Sequence, residues 1–512
     1  MAHPVSDYEW IVVAGAIGSF FAAFGIGAND VANAFATSVG SRALTVKQAC
    51  VLATVFEVSG AILMGSHVTG TIRKSIADID CFVDEPAVLM YGCLCVIFSV
   101  GGWLLLASYL EMPVSTTHSC VGGMIGMAMV AHGPACVIWA EPTDQFPYVK
   151  GVSAIVISWF LSPLLSAISA MGLFLLVRTT VLRAKDSYDR AFKVYPLLVG
   201  VTIFINAFFI IYKGAKGLGL NKTPLEMALG ISLAISAVSA LLTTPLSRLI
   251  RASIDATHST DAPAAAAAGV KELVTKGQMR SDELDVSKTM PPMSRLAEAG
   301  GQISRRLSTS IDVDPHASIQ DNSVVGDMHA QAEVFDPKAE AVFRYLQIFT
   351  ACCDSFAHGA NDVANSIGPF AAIYAIHATG EVSSKSDMGV AGYWILALGG
   401  LGIATGLLLY GYKIMAALGV KIAKITPARG FAIELGAALI IIIGSRLGWP
   451  LSTTHCQVGA TTGVALLEGK GGVNKYILVK TAVGWVITLV VVGCTAALLF
   501  AWGIHTPEQH LA

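Results

Sequence analysis

The sequence predicts an all-α polytopic membrane protein of about twelve transmembrane segments, built from two inverted repeats with broken or re-entrant helices. Three observations predict it. The 512 residues are 54% hydrophobic and only 13% charged, against about 25% charged in an average soluble domain. Apolar runs recur, as at 11–24, 197–211, 433–443 and 483–502, and a membrane-spanning helix needs about 20 mostly apolar residues. Two polar motifs inside such runs each occur twice, in the same order.

Twelve candidate spans follow from the apolar pattern: 10–40, 48–68, 86–110, 115–132, 152–178, 195–213, 224–247, 341–376, 390–412, 429–446, 452–468 and 477–503. The chain divides into a first transmembrane half (1–247), a central segment (248–340) and a second half (341–512). The central segment is rich in Ser, Asp and Lys and poor in aromatics, so it is expected to be a largely disordered loop. Arg305-Arg306-Leu307-Ser308 within it reads as a basophilic kinase site at Ser308, or as a solvated charge cluster.

Lys and Arg placement orients the chain. With the central loop in the cytoplasm, 25 of the 33 Lys and Arg fall on the cytoplasmic side. Both termini then lie outside, in what by default is the plasma membrane. No cationic region precedes Trp10, so the first apolar segment is expected to be an uncleaved anchor. Cys81 and Cys136 are the Cys of the external loops and can pair as a disulfide. Asn221-Lys222-Thr223 is an external glycosylation sequon. No basic patch interleaved with aromatics points to nucleic acid. The partners are the lipid bilayer and small ions, and a homodimer remains open.

The first repeated motif is Gly-Ala-Asn-Asp-Val-Ala-Asn, at 27–33 and 359–365. The second is Pro-x-Ser-Thr-Thr-His, at 113–118 and 450–455. The copies lie 332 and 337 residues apart, which indicates an internal duplication. Seven predicted crossings separate equivalent segments, so the second copy runs opposite to the first.

An Asp at the centre of a span costs about 2.5–3.5 kcal/mol, and a cost met twice needs a function. Asn29, Asp30 and Asn33, with Asn361, Asp362 and Asn365, present carboxylate and amide oxygens suited to a hard cation. Na⁺ at Asn29, Asp30, Asn361 and Asp362, or a proton relay, satisfies the pattern. Gly25, Gly27 and Gly359 suggest a helix break at each copy. In the second motif, Pro113 and Pro450 end an incoming helix, and Ser115 and Ser452 can cap a new one. The N–H groups and hydroxyls of Thr116, Thr117, Thr453 and Thr454 would then bind an anion such as phosphate. His118 and His455 read as proton carriers or as packing residues. Glu57, Glu434 and Asp354 are further acids within apolar segments and candidates for transport.

With both motif pairs in place, the chain resembles the inorganic phosphate transporter (PiT) family of sodium–phosphate cotransporters. The resemblance rests on 27–41, 357–369, 113–118, 450–455 and 431–436, and covers nearly the whole chain outside the central loop. It implies a phosphate symporter with inverted repeats, Asp30 and Asp362 in cation coupling, the two Ser-Thr-Thr segments on phosphate, and transport roles for Glu57 and Glu434. The family has sodium- and proton-coupled members, so Na⁺ and H⁺ both stand as co-substrates. No cofactor is expected. A carrier of sulfate or arsenate, a phosphate sensor, and an intramembrane hydrolase using Ser115 or Ser452 are the alternatives. Against the hydrolase, a Ser and His three apart at a helix start point past each other.

Overall fold

The computed structural model describes residues 5–74, 78–144, 146–212, 220, 223–258, 316, 323–382, 392–447, 449, 451–469 and 471–505. The described residues are helical almost throughout. The first half comprises α1 (Glu9–Asn29), α2 (Ala32–Gly40), α3 (Val46–Lys74), α4 (Pro86–Tyr109), α5 (Thr116–His132), α6 (Val152–Val177), α7 (Ser187–Ile211) and α8 (Leu225–Thr257). After α9 (Ser323–Gln331) come α10 (Pro337–Thr379), α11 (Gly392–Tyr410), the single turn α12 (Tyr412–Ala416), α13 (Pro427–Arg446), α14 (Thr453–Leu466) and α15 (Lys475–His505). A small antiparallel pair, β1 (Glu141–Pro142) and β2 (Val149–Lys150), joins α5 to α6.

Every expected span meets a helix. Among the described residues nine helical stretches are long and apolar enough to cross a membrane. The other three spans correspond to α5, α10 and α14. At 17 and 14 residues, α5 and α14 reach about 25 and 21 Å, short of a ~30 Å hydrocarbon core. A helix of that length that ends at the membrane surface begins inside the membrane. The 43-residue α10 is long enough but carries Asp354, His358 and Asp362 in its middle.

Two expectations are corrected. The edges of the central segment are helical: α8 continues to Thr257, past the expected boundary at 247, and α9 and the start of α10 lie before 341. Val325 and Met328 of α9 have an apolar partner to bury against, Val420, and this local core supports the helix. Ser308 and Asn221 lie outside the described residues. The second correction concerns the helix break. It occurs in the first motif copy, between α1 and α2, whereas the second copy lies within the continuous α10. The glycines serve close packing instead. A Cβ on Gly27 would sit 1.8 Å from the Ile403 carbonyl oxygen of α11, and one on Gly359 would sit 2.3 Å from the Glu57 carbonyl oxygen of α3. Both copies therefore press a helix backbone against its neighbour.

Packing follows the repeat. α1 packs on α11 and α10 on α3; α1 on α4 and α10 on α13; α4 on α5 and α13 on α14. The exchange extends across the halves, with α5 on α15 and α14 on α6. The two halves of the chain thus interpenetrate around the motif helices. α7 and α8 pack on each other at the flank, where Leu233, Leu241, Leu242 and Leu249 are exposed, an apolar surface that suits lipid. Cys81 and Cys136 form the expected disulfide, with Cα atoms 6.1 Å apart.

Candidate functional site

The first helix break sets the site. α1 ends at Asn29, Asp30 and Val31 carry the turn, and α2 starts at Ala32. The Asn29 side chain is fully engaged: its amide donates to Ser108 Oγ at 3.2 Å and to the Met112 carbonyl at 2.9 Å, and its oxygen accepts from Val114 N–H at 2.9 Å. Asn29 thereby holds the segment that leads into α5.

Both Ser-Thr-Thr motifs begin a helix as the sequence requires. Ser115 and Ser452 have extended backbones, and each hydroxyl accepts from the N–H three residues on, His118 at 3.2 Å and His455 at 3.4 Å. These are N-caps. The first-turn N–H groups of Thr116, Thr117, Thr453 and Thr454 have no intrahelical acceptor, and among the described residues none is bonded elsewhere in the protein. Two helix N-termini with unspent donors are a setting for an anion.

The hydroxyls join these starts to the Asn-Asp motifs in two repeat-related sets. Thr116 Oγ1 donates to Asp30 Oδ2 at 2.8 Å, and Thr453 Oγ1 to Asp362 Oδ2 at 2.8 Å. Across the halves, Asn33 donates to Thr454 Oγ1 at 3.3 Å and Asn365 to Thr117 Oγ1 at 3.3 Å. The offsets of 332 and 337 convert each bond into its mate. Departures from symmetry are local: Thr454 also donates to Asp30 Oδ1 at 2.6 Å, and Asn365 also reaches Thr116 at 3.0 Å. Asn33 bonds Asp30, as Asn365 bonds Asp362.

His358 links the acids. Its Nε2 lies 2.9 Å from Asp362 Oδ2 and 3.9 Å from Asp30 Oδ2, and its Nδ1 lies 3.0 Å from Glu57 Oε2. Ser355 donates to Glu57 Oε1 at 2.9 Å. Asp30, Asp362 and Glu57 are almost wholly enclosed, and among the described residues the basic side chain that reaches all three is a single imidazole. Carboxylates at this depth need balancing charge. Ligand atoms of Asp30, His358 and Asp362 lie within 4.8 Å of one another. The amide oxygens of Asn33 and Asn365, one in each half, are buried beside these carboxylates without a hydrogen-bond donor. Carboxylate oxygens beside amide oxygens that lack donors fit a hard cation.

The structure thus brings together Asp30, Asn33, Asp362, Asn365, Thr116, Thr117, Thr453 and Thr454, with Ser115 and Ser452 as caps. Asn29 stands behind the site, and Asn361, at the second copy, is half-buried. Glu57 joins through His358. Glu434 forms a separate buried cluster, accepting from Thr37, from Ser38 at 3.1 Å and from Thr350 at 2.5 Å. Asp354 is buried on α10, one turn before His358. His358, Thr37, Ser38, Thr350 and Ser355 are buried partners of these acids that the repeated motifs do not single out. Position was the available signal: His358 directly precedes the second heptapeptide, and Thr37 and Ser38 closely follow the first.

The chain is similar to known proteins along nearly its whole length. The phosphate transporter family model matches residues 26–496. A putative phosphate permease of Haemophilus influenzae is 32% identical over 497 residues, spanning 97% of each chain. Sodium-dependent phosphate transporter 1 of Homo sapiens is 30% identical over 667 residues, spanning 97% of this chain and 96% of that one. A solved structure described as the sodium-dependent phosphate transporter superposes with a TM-score of 0.72 at 31% identity, covering 97% of this chain and 99% of the other. The chain belongs to the phosphate transporter family.

Proposed function

We propose that this member of the phosphate transporter family is a secondary active symporter that imports inorganic phosphate with Na⁺. The observation that carries the reading is the paired bond of Thr116 to Asp30 and Thr453 to Asp362. Each hydroxyl belongs to an anion-binding helix start, and each carboxylate to a cation cluster. A Na⁺ taking the carboxylate and the neighbouring Asn oxygen displaces the hydroxyl proton, which then turns to a phosphate oxygen. Phosphate alone meets enclosed carboxylates, and Na⁺ alone leaves the donors of the two helix ends unspent. Each ion prepares the place of the other, and that mutual dependence is coupling.

Asp30, Asn33, Asp362 and Asn365 are the cation ligands in this reading, with Asn361 beside them. Asn29 positions the segment before α5. Thr116, Thr117, Thr453 and Thr454 hold phosphate, Ser115 and Ser452 cap their helices, and Glu57, Glu434 and Asp354 support transport. Two Na⁺ balance the two repeat-related carboxylates, and with H₂PO₄⁻ they carry net charge +1. An inside-negative membrane then assists entry by about 2.3 kcal/mol per 100 mV. The motif copies form inverted repeats about this site, the central loop faces the cytoplasm, and both termini lie outside the plasma membrane.

The test is radiolabelled phosphate uptake into proteoliposomes, with and without a Na⁺ gradient, for wild type and Asp362→Asn. Accumulation driven by Na⁺ and lost in the variant is expected. No accumulation under either a Na⁺ or an H⁺ gradient would sink the symporter reading, and accumulation under H⁺ alone would replace Na⁺ by the proton. Electroneutral uptake under voltage clamp would rule out the stoichiometry.

A further inference from the structure

Behind the two anion-binding helix starts, four aromatic rings form a column. His118 of α5 and His455 of α14 meet edge to face with centroids 4.6 Å apart. Trp159 of α6 lies 5.3 Å from His118, and Trp485 of α15 lies 3.7 Å from His455. Both imidazoles are fully buried.

The connectivity of this column is crossed. α6 packs along α14, yet its Trp159 reaches His118 on α5; α15 packs along α5, yet its Trp485 reaches His455 on α14. The rings therefore clasp each helix start to the scaffold helix of the other. The backbone of each His is fixed as well, because its N–H closes the cap on Ser115 or Ser452. A ring one residue beyond the two Thr, on a pinned backbone, transmits any change of ring spacing to the threonines.

The rings do this without polar bonds. Among the described residues no hydrogen-bond partner is found for any of the six ring nitrogens: both of His118, both of His455, and the indole nitrogens of Trp159 and Trp485. A proton relay needs hydrogen-bonded neighbours to hand the proton on, and among the described residues no protein group links these imidazoles to Asp30, Asp362 or His358 in that way. Among the described protein groups, ring contact is the interaction they make.

We infer that His118, His455, Trp159 and Trp485 are positioning residues that set the separation of the two helix starts and so select among tetrahedral oxyanions by size. The inference deepens the phosphate-site reading above and rests on it. Arsenate is the natural probe, since it matches phosphate in shape and charge but has longer bonds.

The experiment measures phosphate half-saturation, the Na⁺ dependence of uptake and the ratio of arsenate to phosphate affinity. The variants are His118→Ala, His455→Ala, His118→Phe and His455→Phe, with Thr116→Val and Thr453→Val alongside. The Ala variants are expected to weaken phosphate on the order of tenfold and to shift the ratio toward arsenate, with unchanged Na⁺ dependence. The Phe variants, which keep the ring, should stay near wild type. Ala variants with wild-type half-saturation and ratio would overturn the inference. Phe variants as impaired as Ala would overturn it too, by showing that the nitrogens matter and not the rings. Should an Ala variant fail to fold, Trp159→Leu and Trp485→Leu remove the end rings and carry the same expectation. Loss of phosphate affinity in the Thr variants with none in the His variants sinks only the ring column. Unchanged affinity in the Thr variants places the anion elsewhere and sinks the parent reading.

Discussion

Thr454 donates to Asp30 at 2.6 Å, joining two side chains 424 residues apart in the chain. The bond connects the second capped helix start to the first carboxylate, so the two halves meet in one cluster. Conversely, Asp30 accepts hydroxyls from both halves, Thr116 and Thr454, whereas Asp362 accepts Thr453 of its own half.

That difference gives an ordered expectation for hydroxyl removal. Hydrogen bonds to charged groups contribute about 1.5–3 kcal/mol, or tenfold and upward in affinity. Thr116→Val and Thr453→Val should raise the half-saturation for phosphate to a similar extent. Thr454→Val, which cuts a bond from the second half to the Asp30 carboxylate, should also shift the Na⁺ dependence. Uptake titrated in both ions checks this, and a normal Na⁺ curve for Thr454→Val would contradict it.

Helix contact at the repeated glycines predicts packing defects. Gly27→Ala places a methyl against the Ile403 carbonyl and Gly359→Ala places one against the Glu57 carbonyl. Neither neighbour is a flexible side-chain end, so each change should destabilise by about 1–3 kcal/mol. Gly368→Ala, on the same helix as Gly359, meets nothing within 4 Å and should leave stability unchanged or raised. Thermal unfolding in detergent separates the three.

Glu333 receives Arg183 Nε at 2.9 Å and Arg178 Nε at 2.8 Å, and its carbonyl accepts from Arg429 at 2.8 Å. The bonds from Arg183, then Arg178, hold its carboxyl below the usual range. A depressed carboxylate stabilises the fold above its unfolded value of about 4.3, and this contribution is lost as the pH falls through the folded value. Glu333→Gln should lower stability at neutral pH and flatten the acid limb of the unfolding profile. An unchanged acid limb would show that the network contributes nothing.

The Cys81–Cys136 disulfide spans 55 residues of sequence, a closure that contributes about 4 kcal/mol in the chain-entropy account. Cys81→Ser should lower the unfolding temperature, while phosphate affinity stays near wild type because the bond lies outside the site. A loss of affinity in folded protein would show that this loop bears on the anion.

Much of the site was legible because it was written twice. A single buried Asp or a single capped helix start has ordinary explanations; two of each at offsets of 332 and 337 do not. The second half of α10 was less legible. Its glycine suggested a break, but Gly359 is spent on contact with α3, and local composition does not distinguish a glycine that bends a helix from one that lets another helix approach. The links of His358 to Glu57 and of Glu434 to Thr37 cross 301 and 397 residues, and nothing in the local pattern announces them.

By itself the sequence determined the helical membrane class, the span positions, the duplication and the capped helix starts. Each depends on hydropathy, caps or spacing, which act over a few turns of chain. Tertiary structure alone decided that the halves interpenetrate, that only the first copy breaks its helix, and that one imidazole serves three carboxylates. Those outcomes depend on which distant surfaces meet: a buried charge takes whatever partner packing brings within reach, and the chain fixes that partner only when it folds.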